Sequence, residues 1–205
     1  MAWMVLRLTA GGGGGSVGKV MEPSLPGIQF ACAGPTALFR ISGRAAAERA
    51  RDFDMAVRRM TEQGVREVHL DLGGCPLLDS TFSGTLAGLA EGRMAGGVRV
   101  QFVLRDARPR ILDGLANLDV LPLFRVAEAS EPVPEAGPMR DLPQGLASRQ
   151  ELGRFCLEAH DTLSRLSEAN QGRFAELRRM LAEEVSRGEA AGAQGGTQDQ
   201  GGGRG

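Results

Sequence analysis

The stretch Leu77–Leu89, LLDSTFSGTLAGL, decides the fold. It passes from two leucines through Asp79, Ser80 and Thr81 into a run whose Phe82, Leu86 and Leu89 recur at spacings of four and three, the period of one helix face. Asp79 and Ser80 are both good N-cap residues, so a helix starts here. Free N–H groups and the positive end of the helix dipole converge on that turn, which makes it a ready site for an anion or a phosphorylated hydroxyl. Capping and phosphorylation are compatible, because a hydroxyl at a helix start is exposed and its phosphate meets the same N–H groups.

Working outward, Val68, Leu70 and Leu72 alternate with Glu67, His69 and Asp71, the pattern of a strand buried on one face. Val98, Val100, Phe102 and Leu104 alternate in the same way with Arg99, Gln101 and Arg105 beyond the helix. Strand, helix and strand then make a β-α-β crossover. Farther upstream, IQFACA and ALFRIS read as a hairpin turning at Gly34 and Pro35. Between that hairpin and the Val68 strand, Ser42 precedes a helix that carries Ala46, Ala50, Phe53, Val57 and Met60 and is capped by Gly64. Downstream, Asp106 is read as the cap of a third helix with Ile111, Leu112 and Leu115, and LFRVAE as a last strand. The fold class is α/β, a mixed β-sheet with helices packed mainly on one face.

Low-complexity composition and proline mark the boundaries. Residues 1–24 include the run Gly11–Gly15 and are read as disordered, or as an over-extended start, with no role of their own. Residues 25–128 form the α/β unit. Residues 129–147, with Pro132, Pro134, Pro138 and Pro143, are read as a linker, since proline withholds donors from any sheet. A capping box of Ser148 and Glu151 opens a helical extension over 148–187. Leu152, Cys156, Ala159, Leu163 and Leu166 form one apolar stripe and Phe174, Leu177, Leu181 and Val185 a second, with a bend expected at Asn170–Gly172. Those stripes must bury against the sheet unit, each other or a second chain. Residues 188–205 are a Gly-rich tail, read as disordered.

Charge and composition narrow the function. The chain has 205 residues with 24 basic and 25 acidic side chains, a net charge of -1, and so lacks the broad positive field that direct nucleic-acid binding needs. From Arg149 to Arg187 the charges balance seven against seven, unlike a basic membrane-surface helix. Lys19 is the only lysine, which leaves almost no candidate for lysine catalysis. Cys32, Cys75 and Cys156 are odd in number and far apart, giving neither a disulfide framework nor a zinc site, and a cytoplasmic location is expected. His69 is placed on the polar face of its strand and His160 on a helix, and neither has a cluster of ligands beside it in sequence. Gly73-Gly74 and Gly96-Gly97 have neither a dinucleotide-binding nor a P-loop spacing. Metal and cofactors are therefore expected to be none, and catalytic residues none.

The segment DSTFSGTL resembles the D-S-[ST]-G-L-G-x-L signature of the STAS domain, shared by anti-sigma factor antagonists and the cytoplasmic tails of sulfate transporters. The preceding strand VHLDLGGCPLLDS, the following VRVQFVL and the closing LANLDVLPLFRV are similar to the family's order over about residues 27–128. The resemblance implies that Ser80 is the phosphoacceptor, with Asp79, Thr81 and Gly84 as neighbouring switch residues. It also implies partner switching: the unphosphorylated chain binds an anti-sigma factor that is a serine kinase and a sigma factor is freed, phosphorylation of Ser80 by that kinase ends the binding, and a metal-dependent serine phosphatase restores it. The alternative is a non-catalytic STAS adaptor or scaffold in a bacterial signalling assembly, with self-association through residues 148–187. Two departures stand out. Phe82 and Ser83 replace glycine and leucine, which is expected to make the first helical turn bulkier and to alter its kinase-facing surface. Asp119 and Val120 replace a Gly-Leu turn, a change expected to stay local.

Overall fold

β1 (Gly27–Ala33) and β2 (Thr36–Ser42) form the antiparallel hairpin, turning at Gly34, whose φ of +57° suits a residue without a Cβ. In this computed structural model, which describes residues 27–92 and 99–195, α1 (Ala47–Glu62), β3 (Glu67–Asp71), α2 (Ser80–Ala90) and β4 (Gln101–Arg105) follow. After them come α3 (Pro109–Ala116), β5 (Arg125–Val126), β6 (Arg140–Asp141), α4 (Arg149–Leu166) and α5 (Glu168–Gly195). The expectations for residues 1–24, the Gly96-Gly97 pair, Val98 and residues 196–205 lie outside the described residues.

The six strands lie in the order β5-β4-β3-β2-β1-β6. The run from β2 to β5 is parallel, while β1 is antiparallel to both its neighbours. Alternation divides the sheet's two faces. Phe39 and Ile41, Val68 and Leu70, and Phe102 and Leu104 point into the main core, where α1, α2 and α3 add Phe53, Phe82 and Leu115. Aromatic rings link these layers: Phe39 meets Phe53 edge-on at 4.8 Å, and Phe53 lies 5.3 Å from Phe82. This is the mixed α/β architecture expected from the sequence.

The opposite face is covered too, and here the structure differs from the sequence reading. β5 and β6 lie at opposite edges, so residues 127–139 must cross roughly 24 Å of sheet at about 4.8 Å per strand. They cross on the face away from the helices, where Ala136 and Met139 pack on Ala31 and Leu38. The segment read as a linker is thus a strap that ends in a sixth strand. Proline does not prevent this, because β6 is an edge strand of two residues, Arg140 and Asp141, that follows Pro138 and precedes Pro143. Beneath the strap, His69 of β3 is 3% exposed and Val103 and Arg105 of β4 are 0% and 5% exposed, so both strands are buried on two faces rather than one. His69 Nε2 lies 2.7 Å from Glu67 Oε1, and Arg105 donates to the Glu131 carbonyl at the strap's start. Arg125 grips the Glu131 carboxylate with two bonds of 2.6 and 2.8 Å, which holds that carboxyl down at about 2.

Helix boundaries differ at four places. α1 starts at Ala47, well after Ser42, because Ala45 first pairs with the segment before α2 through a bridge to Leu78. α3 starts at Pro109 with Arg108 as its cap; Asp106 instead takes a positive φ of +52° in the turn leaving β4, and proline at the first helical position has no N–H to cap. The helical hairpin breaks at Ser167, not at Asn170–Gly172. Ser167 is extended, and its Oγ accepts the Asn170 N–H at 3.3 Å, whereas Gly172 sits inside α5 with open space around it. A single interior glycine costs only about 1 kcal/mol and does not end a helix that packing supports. α5 also continues past residue 188 to Gly195, into the stretch read as tail.

Candidate functional site

The loop leaving β3 ends at Asp79, whose extended backbone caps α2 and whose carboxylate accepts the Phe82 N–H at 2.8 Å. Burial raises the Asp79 carboxyl above its ordinary range, against the backbone donors of Phe82 and Ala47 and the field of His160. Ser80 is the first residue of the helix, and the sequence reading made it an exposed hydroxyl. It is half-buried. The reason is α4, which packs across α2 and sets His160 Nε2 at 3.0 Å from Ser80 Oγ.

The proton positions follow from the other ring nitrogen. His160 Nδ1 lies 2.7 Å from the Cys156 carbonyl, which can only accept, so Nδ1 carries the hydrogen. In the neutral ring Nε2 is then a bare acceptor, and the Ser80 hydroxyl donates to it. Burial pushes His160 below its ordinary value, which favours that neutral form. The ring is 3% exposed and lies 5.2 Å from the Phe174 ring of α5. Sequence reasoning set His160 aside, although a signal was there: it follows Cys156 by four and precedes Leu163 by three, which places it on the buried stripe.

The other two candidates are brought to the same junction. Thr81 is 6% exposed, and its Oγ1 is 3.9 Å from Cys156 Sγ. Gly84 is where the two helices approach most closely, since a Cβ added there would meet the Ala159 carbonyl oxygen and lie 2.9 Å from its carbon. Glycine is required at that position by packing. Phe82 behaves otherwise than expected: it is 0% exposed and turned into the core, so it does not alter the surface a kinase would meet. Ser83 is likewise buried and donates to the Asp79 carbonyl at 2.9 Å. Beside the turn, half-buried Leu77 and Leu78 with Arg110 line a groove between α2 and α3.

Asp119 has more than a local effect. It holds a positive φ of +56°, a conformation that Asp tolerates better than most residues, and its carboxylate accepts the Ser167 hydroxyl at 2.6 Å. Asn170, 0% exposed, donates to the Leu118 carbonyl at 2.7 Å, and Arg173 donates to the Asn117 carbonyl at 2.6 Å. The hairpin is therefore fastened to the turn before β5. The segment leading into α4 is tied to α1, where Asp52 accepts the Gly145 N–H at 3.1 Å.

No family model matches the chain, and no curated protein matches it. Among solved structures, a similar one is the anti-sigma factor antagonist SpoIIAA in its unphosphorylated form, at 15% identity and a TM-score of 0.43, covering 50% of this chain and 89% of that one. Among the described residues, no three His, Cys, Asp or Glu side chains come together as a metal site, and no helix is long and apolar enough to cross a membrane.

Proposed function

We propose that this chain is a non-catalytic anti-sigma factor antagonist controlled at Ser80. Unphosphorylated, it binds an anti-sigma factor that is also a serine kinase and so frees a sigma factor; a phosphate on Ser80 ends that binding, and a serine phosphatase restores it. The observation that supports this reading is the placement of Ser80 on the first turn of α2, directly after the capping Asp79. A phosphate there adds about -1.5 to -2 charges beside a partly desolvated carboxylate, and repulsion plus desolvation in an interface reaches the few kcal/mol a switch needs. The groove of Leu77, Leu78 and Arg110 adjoins that turn and is the surface a partner would meet first.

The test is intact-mass and peptide analysis of the chain from its native cells, with Ser80→Ala and Ser80→Asp compared for capture of a protein with a serine-kinase ATP site. Phosphate on the Ser80 peptide, with capture by Ser80→Ala and loss by Ser80→Asp, supports the switch. Equal capture by the two variants overturns it in favour of the adaptor reading, which the covered position of Ser80 favours. The Ser80–His160 pair also invites a hydrolase reading, but His160 Nδ1 is bonded to the Cys156 carbonyl rather than to the carboxylate that would stabilise an imidazolium. A fluorophosphonate probe is expected to leave Ser80 unlabelled.

A further inference from the structure

We propose that the α4–α5 hairpin is an internal cover for Ser80, so that a docked hairpin and a phosphate on Ser80 exclude one another. The inference rests on the reading of Ser80 as the phosphoacceptor and adds its regulation. Three observations at one junction carry it. The Ser80 hydroxyl is bonded to His160 Nε2 at 3.0 Å, so the space a phosphoryl group would occupy is filled by a buried ring. Half-buried Asp79 caps the same turn and would face the new charge. One helical turn on, Gly84 lies against the Ala159 backbone, leaving no slack for α4 to shift while α2 keeps its place.

The cover is held along its length. Leu163 is 0% exposed in the main core, Asn170 and Ser167 bind the turn at residues 117–119, and Gly145 is tied to Asp52. The phosphorylatable state is then a minor, open one, and a kinase acts at a rate scaled by its population. By the same linkage, a phosphate once added holds the hairpin open and frees the α2 surface together with the buried face of α4.

The test uses the full chain. Phosphoserine is installed at position 80 during translation, without any kinase, and is compared with the unmodified chain and with Gly84→Ala. Amide exchange over residues 149–166 and the reaction of Cys156 with a maleimide are measured together. Cys156 is half-buried at the α2–α4 junction and Cys75 is buried in the core, so the two thiols separate lifting of the cover from unfolding. Phosphoserine and Gly84→Ala are each expected to speed both signals about tenfold or more while β2, β3 and Cys75 stay protected. Should Gly84→Ala also loosen the sheet, Ala159→Leu wedges the same contact from the α4 side and leaves the α/β unit unaltered. A phosphoserine chain whose residues 149–166 and Cys156 remain as protected as in the unmodified chain overturns the cover. That failure is distinct from failure of the switch: a hairpin that lifts without any effect of Ser80 on partner capture overturns the proposed function alone.

Discussion

At the scale of single residues, His160 and Phe82 yield sharp predictions. Burial lowers the His160 value below 6.5, so an opened hairpin binds a proton more readily than a docked one between that lowered value and 6.5. Docking is therefore at full strength above about 6.5 and weakens as pH falls through that window. The groups facing the ring act on it in the other direction, Asp79 and Asp161 favouring the charged form, but burial is the larger effect. Asp79 itself is raised, and it weakens the docked state only as pH rises from 3.8 to its raised value. Exchange of α4 amides, corrected for intrinsic chemistry, is expected to quicken on going from about pH 7 to about pH 6, and His160→Gln should flatten the change. A flat profile in the unaltered chain would refute this. Phe82 is 0% exposed and lies 5.3 Å from the Phe53 ring in the main core, so Phe82→Ala should lower stability to urea by about 3–5 kcal/mol. A loss under about 1 kcal/mol would show that the site collapses around the missing ring.

Among the elements, the strap is the least expected and the most exposed to test. Ala136 is 7% exposed against Ala31 and Leu38, and an aspartate there would put an unpaired carboxylate on the back of the sheet. Ala136→Asp should cost about 1–3 kcal/mol in global stability and release β6, read as faster exchange at residues 140–142, while α1 and α2 stay protected. Unchanged exchange there would mean that the strap is not held by this face. Its start responds to acid: with Glu131 lowered to about 2, the grip of Arg125 is complete above the ordinary 4.5 and is lost as pH falls toward about 2. The ion pairs between α4 and α5, such as Arg149 with Glu184 at 2.7 Å, are exposed and add little; the buried stripe aligns these helices.

For the whole molecule, four layers stack in order: strap, sheet, the helices α1 to α3, and the hairpin. This arrangement uses the apolar stripes internally. Leu163 and Phe174 are 0% and 7% exposed, and the large apolar side chains left open on the hairpin are Leu177 and Met180 among the described residues. Light scattering is expected to give the mass of one chain, 21.7 kDa, without concentration dependence. A mass of two chains would show instead that Leu177 and Met180 belong to an interface. A chain cut after Glu128 would lose strap and hairpin together and uncover Leu38, His69, Arg105 and the face of α2, so it is a poor stand-in for the intact protein.

Local chemistry was enough for the α/β unit, because its strands and helices are each specified by short-range periodicity: Val68 and Leu70 on β3, Phe102 and Leu104 on β4, Asp79 capping α2. The capping box at Ser148 and Glu151 was legible for the same reason. The strap was not, since four prolines describe only what the backbone cannot donate and say nothing of the open sheet face that Ala136 would find. Nor was the state of Ser80, which depends on His160 being carried across eighty positions of sequence by the docking of α4 on Gly84. Sequence by itself determined the elements from β1 to β5 and the capped turn that opens α2, because caps and periods act within a few residues. Only the tertiary structure decided that the turn is covered, because packing between distant helices settles which hydroxyl meets water.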